Sequence, residues 1–248
     1  MPIAYLSALT APERTARANL HLGVTLAFVA GALNAGGFLA IGQYTSHMTG
    51  MVSAAADNLA LGDVVLVLAA LLSIAAFVAG AATTAMMVSY GRRGARHNIY
   101  QPPLLLEAAL LLAFGSIGGR LQPHEIVSVS FGAILLCFVM GLQNALITKI
   151  SNAEIRTTHV TGLVTDIGIE LGKLLYWNRE RATAALPAVL ANRRKLRVHS
   201  LLVGGFFVGG VTGALGFKHV GFIATIPLAL LLVAMSVAPS LQSARHAE

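Results

Sequence analysis

The chain has 248 residues, of which 56% are hydrophobic and 11% are charged, and its mean hydropathy is +0.75. Soluble domains carry about 25% charged residues, so this composition excludes an ordinary water-soluble fold and predicts an all-α integral membrane protein. The net charge of +7 would suit nucleic acid, but the positions of the basic residues favour another interpretation.

Apolar runs of sufficient length predict the membrane spans. A helix needs about 20 mostly apolar residues to cross a bilayer. The N-terminal segment before Leu20 is not a secretory signal, since its apolar residues are scattered and followed by charges. Residues 1–248 are therefore expected to form a single polytopic membrane domain. The six predicted spans are Leu20–Ile41, Val64–Tyr90, Leu104–Gly119, Ile126–Ile150, Val198–Phe217 and Val220–Ala238.

Basic residues are concentrated in two loops between these spans. Three arginines lie within Arg92–Arg96, and nine Lys or Arg against four acids lie from Lys149 to Arg197. The loop after the first span holds two acids and no Lys or Arg. Because basic loops stay on the cytoplasmic side, both termini are expected in the cytoplasm. The basic insertion at about 177–197 would attract anionic lipid headgroups, and nucleic-acid binding is not expected.

Short motifs recur in the same order in the two halves of the chain. The pairs are "GALNA" and "GLQNA", "SHMTGMV" and "THVTGLV", "LALG" and "IELG", and "FVAGAATTA" from Phe77 and "FVGGVTGAL" from Phe207. Each half contains three spans, an odd number, so the second half must enter the membrane from the opposite side. This predicts two inverted three-helix repeats, at about 20–119 and 126–238.

A stretch too polar to span follows each Thr-Gly pair, "MVSAAADNLALG" in the first repeat and "LVTDIGIELGKLLY" in the second. Each predicts a short helix, either re-entrant or lying at the membrane interface. Thr49 and Thr161 are expected to be the N-caps of these helices, with Gly50 and Gly162 allowing close approach.

Polar side chains therefore occur at equivalent places in both repeats. An asparagine inside a span is unfavourable unless it is hydrogen-bonded, so Asn34 and Asn144 either bond a neighbouring helix or line a polar cavity. The N-termini of two short helices aimed inward would attract a small polar or anionic solute. The predicted solute-binding residues are Asn34, His47, Thr49, Gly50, Gln143, Asn144, His159, Thr161 and Gly162.

Glu107 is the only acid well inside a predicted span. Near the helix end it either reaches the lipid headgroups or pairs with the arginines at Arg92–Arg96. The alternative is a proton relay, for which Asp57 and Asp166 are the other candidates. His47 lies ten residues before Asp57, and His159 lies seven residues before Asp166. Two histidines on opposite faces of the membrane do not form a three-ligand cage, so no metal site is predicted. No nucleophile elbow, P-loop or dinucleotide fingerprint occurs, so neither a catalytic residue nor a cofactor nor enzymatic activity is expected.

The ordered set "GALNAGGFLAIGQYTSHMTG", "MGLQNA" and "THVTGLVTDIGIELG" resembles the YoaK family of small bacterial integral membrane proteins (domain of unknown function 1275). The likeness runs from about Leu20 to Val237 and implies six spans in the bacterial inner membrane. It implies no particular substrate.

Two functions remain open. One is a transporter or channel for a small polar or anionic solute. The other is a non-transporting scaffold or sensor that acts through the basic linker "NRERATAALPAVLANRRKLR", and a homo-oligomer is compatible with both. Symmetric polar pairs within the membrane favour transport, because a scaffold requires only a cytoplasmic surface.

Overall fold

The computed structural model describes residues 15–94, 98–118, 126–151, 157–176 and 188–245, and in these ranges it is helical without a strand. The all-α prediction is confirmed. Residues 177–187 of the predicted basic insertion lie outside the described residues, as do 1–14 and 246–248. The helices are α1 Ala16–Ile41, α2 Met48–Leu61, α3 Val64–Arg93, α4 Gln101–Gly118, α5 Ile126–Ile150, α6 Val160–Leu175, α7 Arg193–Val220 and α8 Thr225–Arg245, with a 3-10 turn at Gly221–Ala224.

Five helical segments of the described chain are long and apolar enough to cross a membrane. The fifth has 46 residues and contains α7, the 3-10 turn and most of α8. A straight helix of that length would be about 70 Å long, more than twice the thickness of a hydrocarbon core. Gly221, with φ of 61°, interrupts it. The five segments are Arg17–Ile41, Val64–Arg93, Gln101–Gly118, Phe131–Ile150 and Arg193–Ala238.

Helices α1 and α7 run side by side in the same direction. Gly209 lies against the carbonyl of Phe28, and one turn further along both helices Gly213 lies against the carbonyl of Ala32. A side chain at either glycine would overlap with the backbone of α1, so the close approach depends on small residues.

Helices α3 and α5 form a second pair of the same kind. Gly80 lies against the carbonyl of Phe138. One turn further along both helices, the Thr84 hydroxyl donates a hydrogen bond of 2.9 Å to the carbonyl of Leu142. The two helices are therefore parallel to each other.

Helices α1 and α5 are the centre of the bundle and cross in opposite directions. Buried residues make up 67% of the most apolar stretch of α5 and 56% of that of α1, against 17% for α3. The side chain of Gln143 on α5 donates a 3.2 Å hydrogen bond to the carbonyl of Leu26. Ile41, at the far end of α1, lies beside Gly132 near the start of α5.

Helices α4 and α8 are also antiparallel. The hydroxyl of Ser236 lies 3.5 Å from the carbonyl of Gln101 at the start of α4. Gly115, near the end of α4, lies against the side chain of Thr225 at the start of α8. This pair completes the bundle on the side where α4 also packs on α5.

The charged side chains lie at opposite ends of the bundle. The N-terminal ends of α1 and α7 share one end with the C-terminal ends of α3 and α5, which we call the basic end. Asp57 on α2 and Asp63 at the N-cap of α3 lie at the other end. Every described Lys and Arg side chain except Lys218 lies at the basic end, namely Arg17, Arg92, Arg93, Lys149, Lys173, Arg193, Arg194, Lys195 and Arg197.

Candidate functional site

Asn34 holds the loop that joins α1 to α2. Its side-chain oxygen accepts hydrogen bonds from the backbone N–H of Ser46 at 3.1 Å and from the Ser46 hydroxyl at 3.0 Å. The part of α1 from Asn34 to Ile41 is about 10 Å long, so the chain must turn back by that distance to make this contact. Helix α2 begins at Met48, close to the level of Asn34 and not at the end of α1.

Asn144 does the same for the loop between α5 and α6. Its side-chain oxygen accepts from the hydroxyls of Thr158 at 2.8 Å and Thr157 at 3.4 Å. Its side-chain nitrogen donates to the carbonyl of Met140 at 3.0 Å. The part of α5 from Asn144 to Ile150 is about 9 Å long, so α6 also begins well inside the end of the preceding helix.

The predicted N-caps of the two short helices are wrong. His47 and His159 are the N-cap residues, neither with a side-chain capping bond, and Thr49 and Thr161 are already in the first turn. The asparagines fix the residue just before each histidine, so each helix begins earlier than a threonine cap would require. Gly50 is covered by the ring of His47 and could not carry a side chain without moving it.

The two motifs lie at separate positions along the bundle. Asn144 lies near the level of Leu26, which puts it roughly 10 Å from the level of Asn34 along the bundle. Helix α2 packs on α3 and α6 packs on α7. The predicted solute-binding residues thus form two clusters, one beside Asn34 at the start of α2 and one beside Asn144 at the start of α6. The structure does not bring these two clusters together. The exposed members of the clusters are His47, Thr49, His159, Thr161 and Gly162.

Two threonines escaped the motif comparison. Thr45 and Thr157 directly precede the quoted motifs, and both are fully buried. Thr157 bonds Asn144, whereas the hydroxyl of Thr45 has no hydrogen-bond partner in the described structure. The signal in the sequence is the longer repeat "TSHMTG" and "TTHVTG".

Gln143 combines a structural bond with an unused polar atom. Its side-chain nitrogen bonds the carbonyl of Leu26 across the α1–α5 crossing. Its side-chain oxygen is buried and has no partner among the described residues. An unpaired buried acceptor is unfavourable by about 1–3 kcal/mol, so this atom is a candidate contact for a solute.

The three predicted proton-relay acids are not brought together. Glu107 is fully buried on α4, and neither carboxylate oxygen has a hydrogen-bond partner in the described structure. It pairs with neither Arg92 nor Arg93, and Arg92 instead lies 3.4 Å from the hydroxyl of Tyr100. Arg96 lies outside the described residues. Asp57 is exposed at the opposite end of the bundle, and Asp166 is held on α6.

Helix α6 is attached to the start of α7 by its acids. Asp166 accepts a 3.0 Å bond from Lys195. Glu170 accepts bonds from Lys173 at 2.9 Å and from the backbone N–H of Asn192 at 2.6 Å. The polar face of α6 is therefore turned inward. Its exposed large apolar residues are Val164, Ile169, Leu171, Leu174 and Leu175.

Acidification is expected to release α6 from α7. The Lys195 hydrogen bond lowers the pKa of Asp166 below its ordinary 3.8, and the Lys173 hydrogen bond, followed by that of the Asn192 N–H, lowers the pKa of Glu170 below its ordinary 4.5. A carboxylate with a lowered pKa contributes stability that is complete above its ordinary pKa and is lost below it. The protection of the α6 amides against hydrogen exchange, corrected for the pH dependence of the intrinsic exchange rate, should therefore persist down to about pH 5 and fall below about pH 4. Loss of protection already near pH 6 would contradict this.

Replacing Asn144 by alanine is expected to destabilise the protein by about 1–3 kcal/mol, because the hydroxyls of Thr157 and Thr158 lose their acceptor. The measurement is thermal unfolding of the purified protein in detergent. The matched control is Asn58→Ala, because among the described residues the Asn58 side chain bonds only the Ala54 carbonyl of its own helix, at 2.7 Å. Equal losses in the two variants would show that Asn144 has no anchoring role.

Comparison with known proteins identifies relatives of this chain. Residues 22–238 match the family described as "Protein of unknown function (DUF1275)". The chain is similar to the UPF0700 transmembrane protein YoaK of Bacillus subtilis (strain 168), with 24% identity over 217 residues that cover 86% of this chain and 91% of that protein. No solved structure matches the chain significantly. The family match contains both asparagine-anchored motifs.

Proposed function

The chain belongs to the DUF1275 family of membrane proteins, and on this premise we propose that it is a transporter or channel for a small polar or anionic solute. The predicted resemblance to the YoaK family and the predicted membrane character are confirmed by the matches. The proposal adds two inverted three-span repeats, six spans in all, with Gly221 at the turn between the last two.

Equivalent contacts in the two halves support the repeat. Asn34 bonds Ser46 as Asn144 bonds Thr158. Helix α3 begins at the N-cap Asp63, and the start of α7 has an asparagine in the same capping role. These pairs are what two copies of one three-span unit would produce.

The glycine contacts also support a particular register for the proposed repeat. Gly141 lies against the carbonyl of Phe77, and Gly31 lies against the carbonyl of Phe206. We therefore propose Phe206 as the equivalent of Phe77, one residue before the Phe207 that the sequence motifs align with it. A one-residue shift turns a helix face by about 100°, so the glycine contacts favour this register.

The directions of the helices support the inversion. The equivalent helices α1 and α5 are antiparallel, and so are α4 and α8, as a two-fold axis in the membrane plane requires. Because basic residues stay on the cytoplasmic side, the basic end is proposed to face the cytoplasm of the bacterial cell, with α2 at the outer side. Both termini would then be cytoplasmic.

The observation that carries the transport proposal is the inward start of α2 and α6. Asn34 and Asn144 draw the N-termini of these helices about 10 Å inside the ends of α1 and α5, as in re-entrant helices. Free N–H groups and partial positive charge at a helix N-terminus favour an anionic or polar solute. One such N-terminus is accessible from each side, which is the arrangement that alternating access uses.

Flux into liposomes tests the proposal. Purified wild-type protein is screened against panels of ions and metabolites, and a transported solute is then measured with Gln143→Leu. This variant removes the unpaired side-chain oxygen. The equivalent residue of the first repeat is Leu33, so a leucine is expected to be tolerated at this place in the helix packing. We expect at least a tenfold loss of flux in this variant and in Asn34→Ala combined with Asn144→Ala. The control Asn58→Ala should retain the wild-type rate.

Inert wild-type vesicles would favour the scaffold function. In that case deletion of Asn178–Pro187, which leaves the Asn192 cap of α7 in place, should reproduce the loss-of-function phenotype. Solute flux that survives both sets of substitutions would show that transport does not use these residues.

Single-cysteine labelling tests the orientation. The buried Cys137 is first replaced by alanine, and cysteines are introduced at Lys218 and Arg194. An impermeant reagent added to intact cells should label the position at Lys218 and leave that at Arg194 unmodified. Labelling of Arg194→Cys from outside would overturn the proposed topology.

A further inference from the structure

A cavity of about 810 Å³ opens between the first turns of α1 and α7 at the basic end. Arg17 and His21 line it from α1, and Arg194 and Arg197 line it from α7. The remaining wall is mostly apolar. It consists of Leu20, Val24, Thr25, Val198 and Leu201.

The three arginines of this cavity are not neutralised by the described part of the protein. None of Arg17, Arg194 and Arg197 makes an ion pair with a described acid. The two described acids bonded to the start of α7 are already engaged, Asp166 with Lys195 and Glu170 with Lys173. Three guanidinium groups therefore face one cavity with no counter-charge from the acids of the described ranges.

The walls of the cavity are held in place by backbone contacts. A Cβ added at Gly205, directly beyond the cavity, would come within 3.1 Å of the carbonyl oxygen of Val24, so the two backbones are closely packed there. The parallel helices α1 and α7 both begin here, so the positive N-terminal ends of two helix dipoles lie at the same opening. This electrostatic field is built into the scaffold and does not depend on the conformation of one side chain.

We propose that this cavity binds the phosphate group of an anionic phospholipid. Guanidinium groups recognise phosphate with paired hydrogen bonds, and basic pockets between spanning helices at the cytoplasmic face suit acidic headgroups. The apolar wall continues toward the bundle along Val24 and Leu201, which provides a surface for the first part of an acyl chain. A soluble phosphate would use the arginines alone. The inference does not rest on the proposed transport function.

Lipid binding to the purified full-length protein tests the proposal. Native mass spectrometry and thermal unfolding are measured in detergent with dioleoylphosphatidylglycerol, with dioleoylphosphatidylcholine, and with inorganic phosphate. The test variant is Arg17→Gln, Arg194→Gln and Arg197→Gln combined. The matched control is Arg93→Gln, Lys149→Gln and Arg193→Gln, which removes the same charge at the same end, outside the cavity. Should the test variant fail to fold, Arg17→Gln with Arg197→Gln replaces it.

Because each lost hydrogen bond to a charged group weakens binding by about tenfold or more, the test variant is expected to bind phosphatidylglycerol at least roughly 100-fold more weakly than wild type. The control should bind within about threefold of wild type, and phosphatidylcholine should neither bind tightly nor stabilise. If inorganic phosphate stabilises wild type and displaces the lipid at equal concentration, the site recognises free phosphate and the lipid assignment is overturned. Equal losses in the test and control variants, or none in either, would overturn the cavity as a phosphate site.

Discussion

Gly141→Ala is expected to separate α3 from α5 and to destabilise the protein by about 3 kcal/mol or more. A methyl group at Gly141 would overlap with the carbonyl oxygen and Cα of Phe77. Backbone atoms, unlike the end of a flexible side chain, cannot rotate away, so the two helices must move apart. That movement would also weaken the hydrogen bond from Thr84 to the Leu142 carbonyl.

The equivalent position in the other helix pair should respond in the same way. Gly31 lies against the carbonyl of Phe206, so Gly31→Ala should separate α1 from α7. Gly204→Ala is the matched control, since nothing lies within 4 Å of the side chain it would gain. Alanine is a better helix former than glycine by about 1 kcal/mol, so the control should be neutral or slightly stabilised. Unfolding midpoints in detergent measure all three. Equal midpoints for Gly141→Ala and Gly204→Ala would show that the helices are not held by these contacts.

The helices could be predicted from the sequence because the length of an apolar run is a local property. The main errors lie at the ends. Helix α7 begins at Arg193, before the predicted Val198, because Asn192 caps it through the N–H of Lys195. Helix α1 begins at Ala16 because the hydroxyl of Thr15 accepts from the N–H of Ala18. Each cap is followed by charged residues, which a hydropathy criterion leaves out of the predicted span. The helix nevertheless includes these charged residues.

The candidate site could be predicted only in part. The repeated asparagines were visible as a pair, but the sequence left open whether they bond a neighbouring segment or line a cavity. In the structure the side-chain oxygens of the two asparagines bond Ser46 and Thr158. These partners come together only because each loop folds back along the preceding helix. The threonine caps failed for the same reason, because this tertiary contact overrides the local preference of threonine for a cap position.

The unpaired carboxylate of Glu107 has the clearest consequence for function. A buried polar group without a partner is destabilising, and acids inside a membrane domain usually serve a pathway for ions or protons. Asp166 is already held by Lys195, and Asp57 is exposed at the far end of the bundle. We therefore propose Glu107 as the proton-binding group of the transport path.

Glu107→Gln and Glu107→Leu are expected to separate stability from transport. On α4, Glu107 lies on the same buried face as Leu104, Ala108 and Leu111. Leucine removes both unpaired oxygens from this face, so the free energy of unfolding of Glu107→Leu should exceed that of wild type by about 1–3 kcal/mol. Glutamine keeps the shape of the side chain but cannot exchange a proton. In liposomes that transport a solute, both variants should lose at least tenfold in flux driven by a proton gradient, and the residual flux should no longer depend on pH. Because α4 is retained and stabilised, such a loss could not be attributed to unfolding. A less stable Glu107→Leu would indicate that the carboxylate has a structural partner, and unchanged, still pH-dependent flux in Glu107→Gln would remove Glu107 from the proton path.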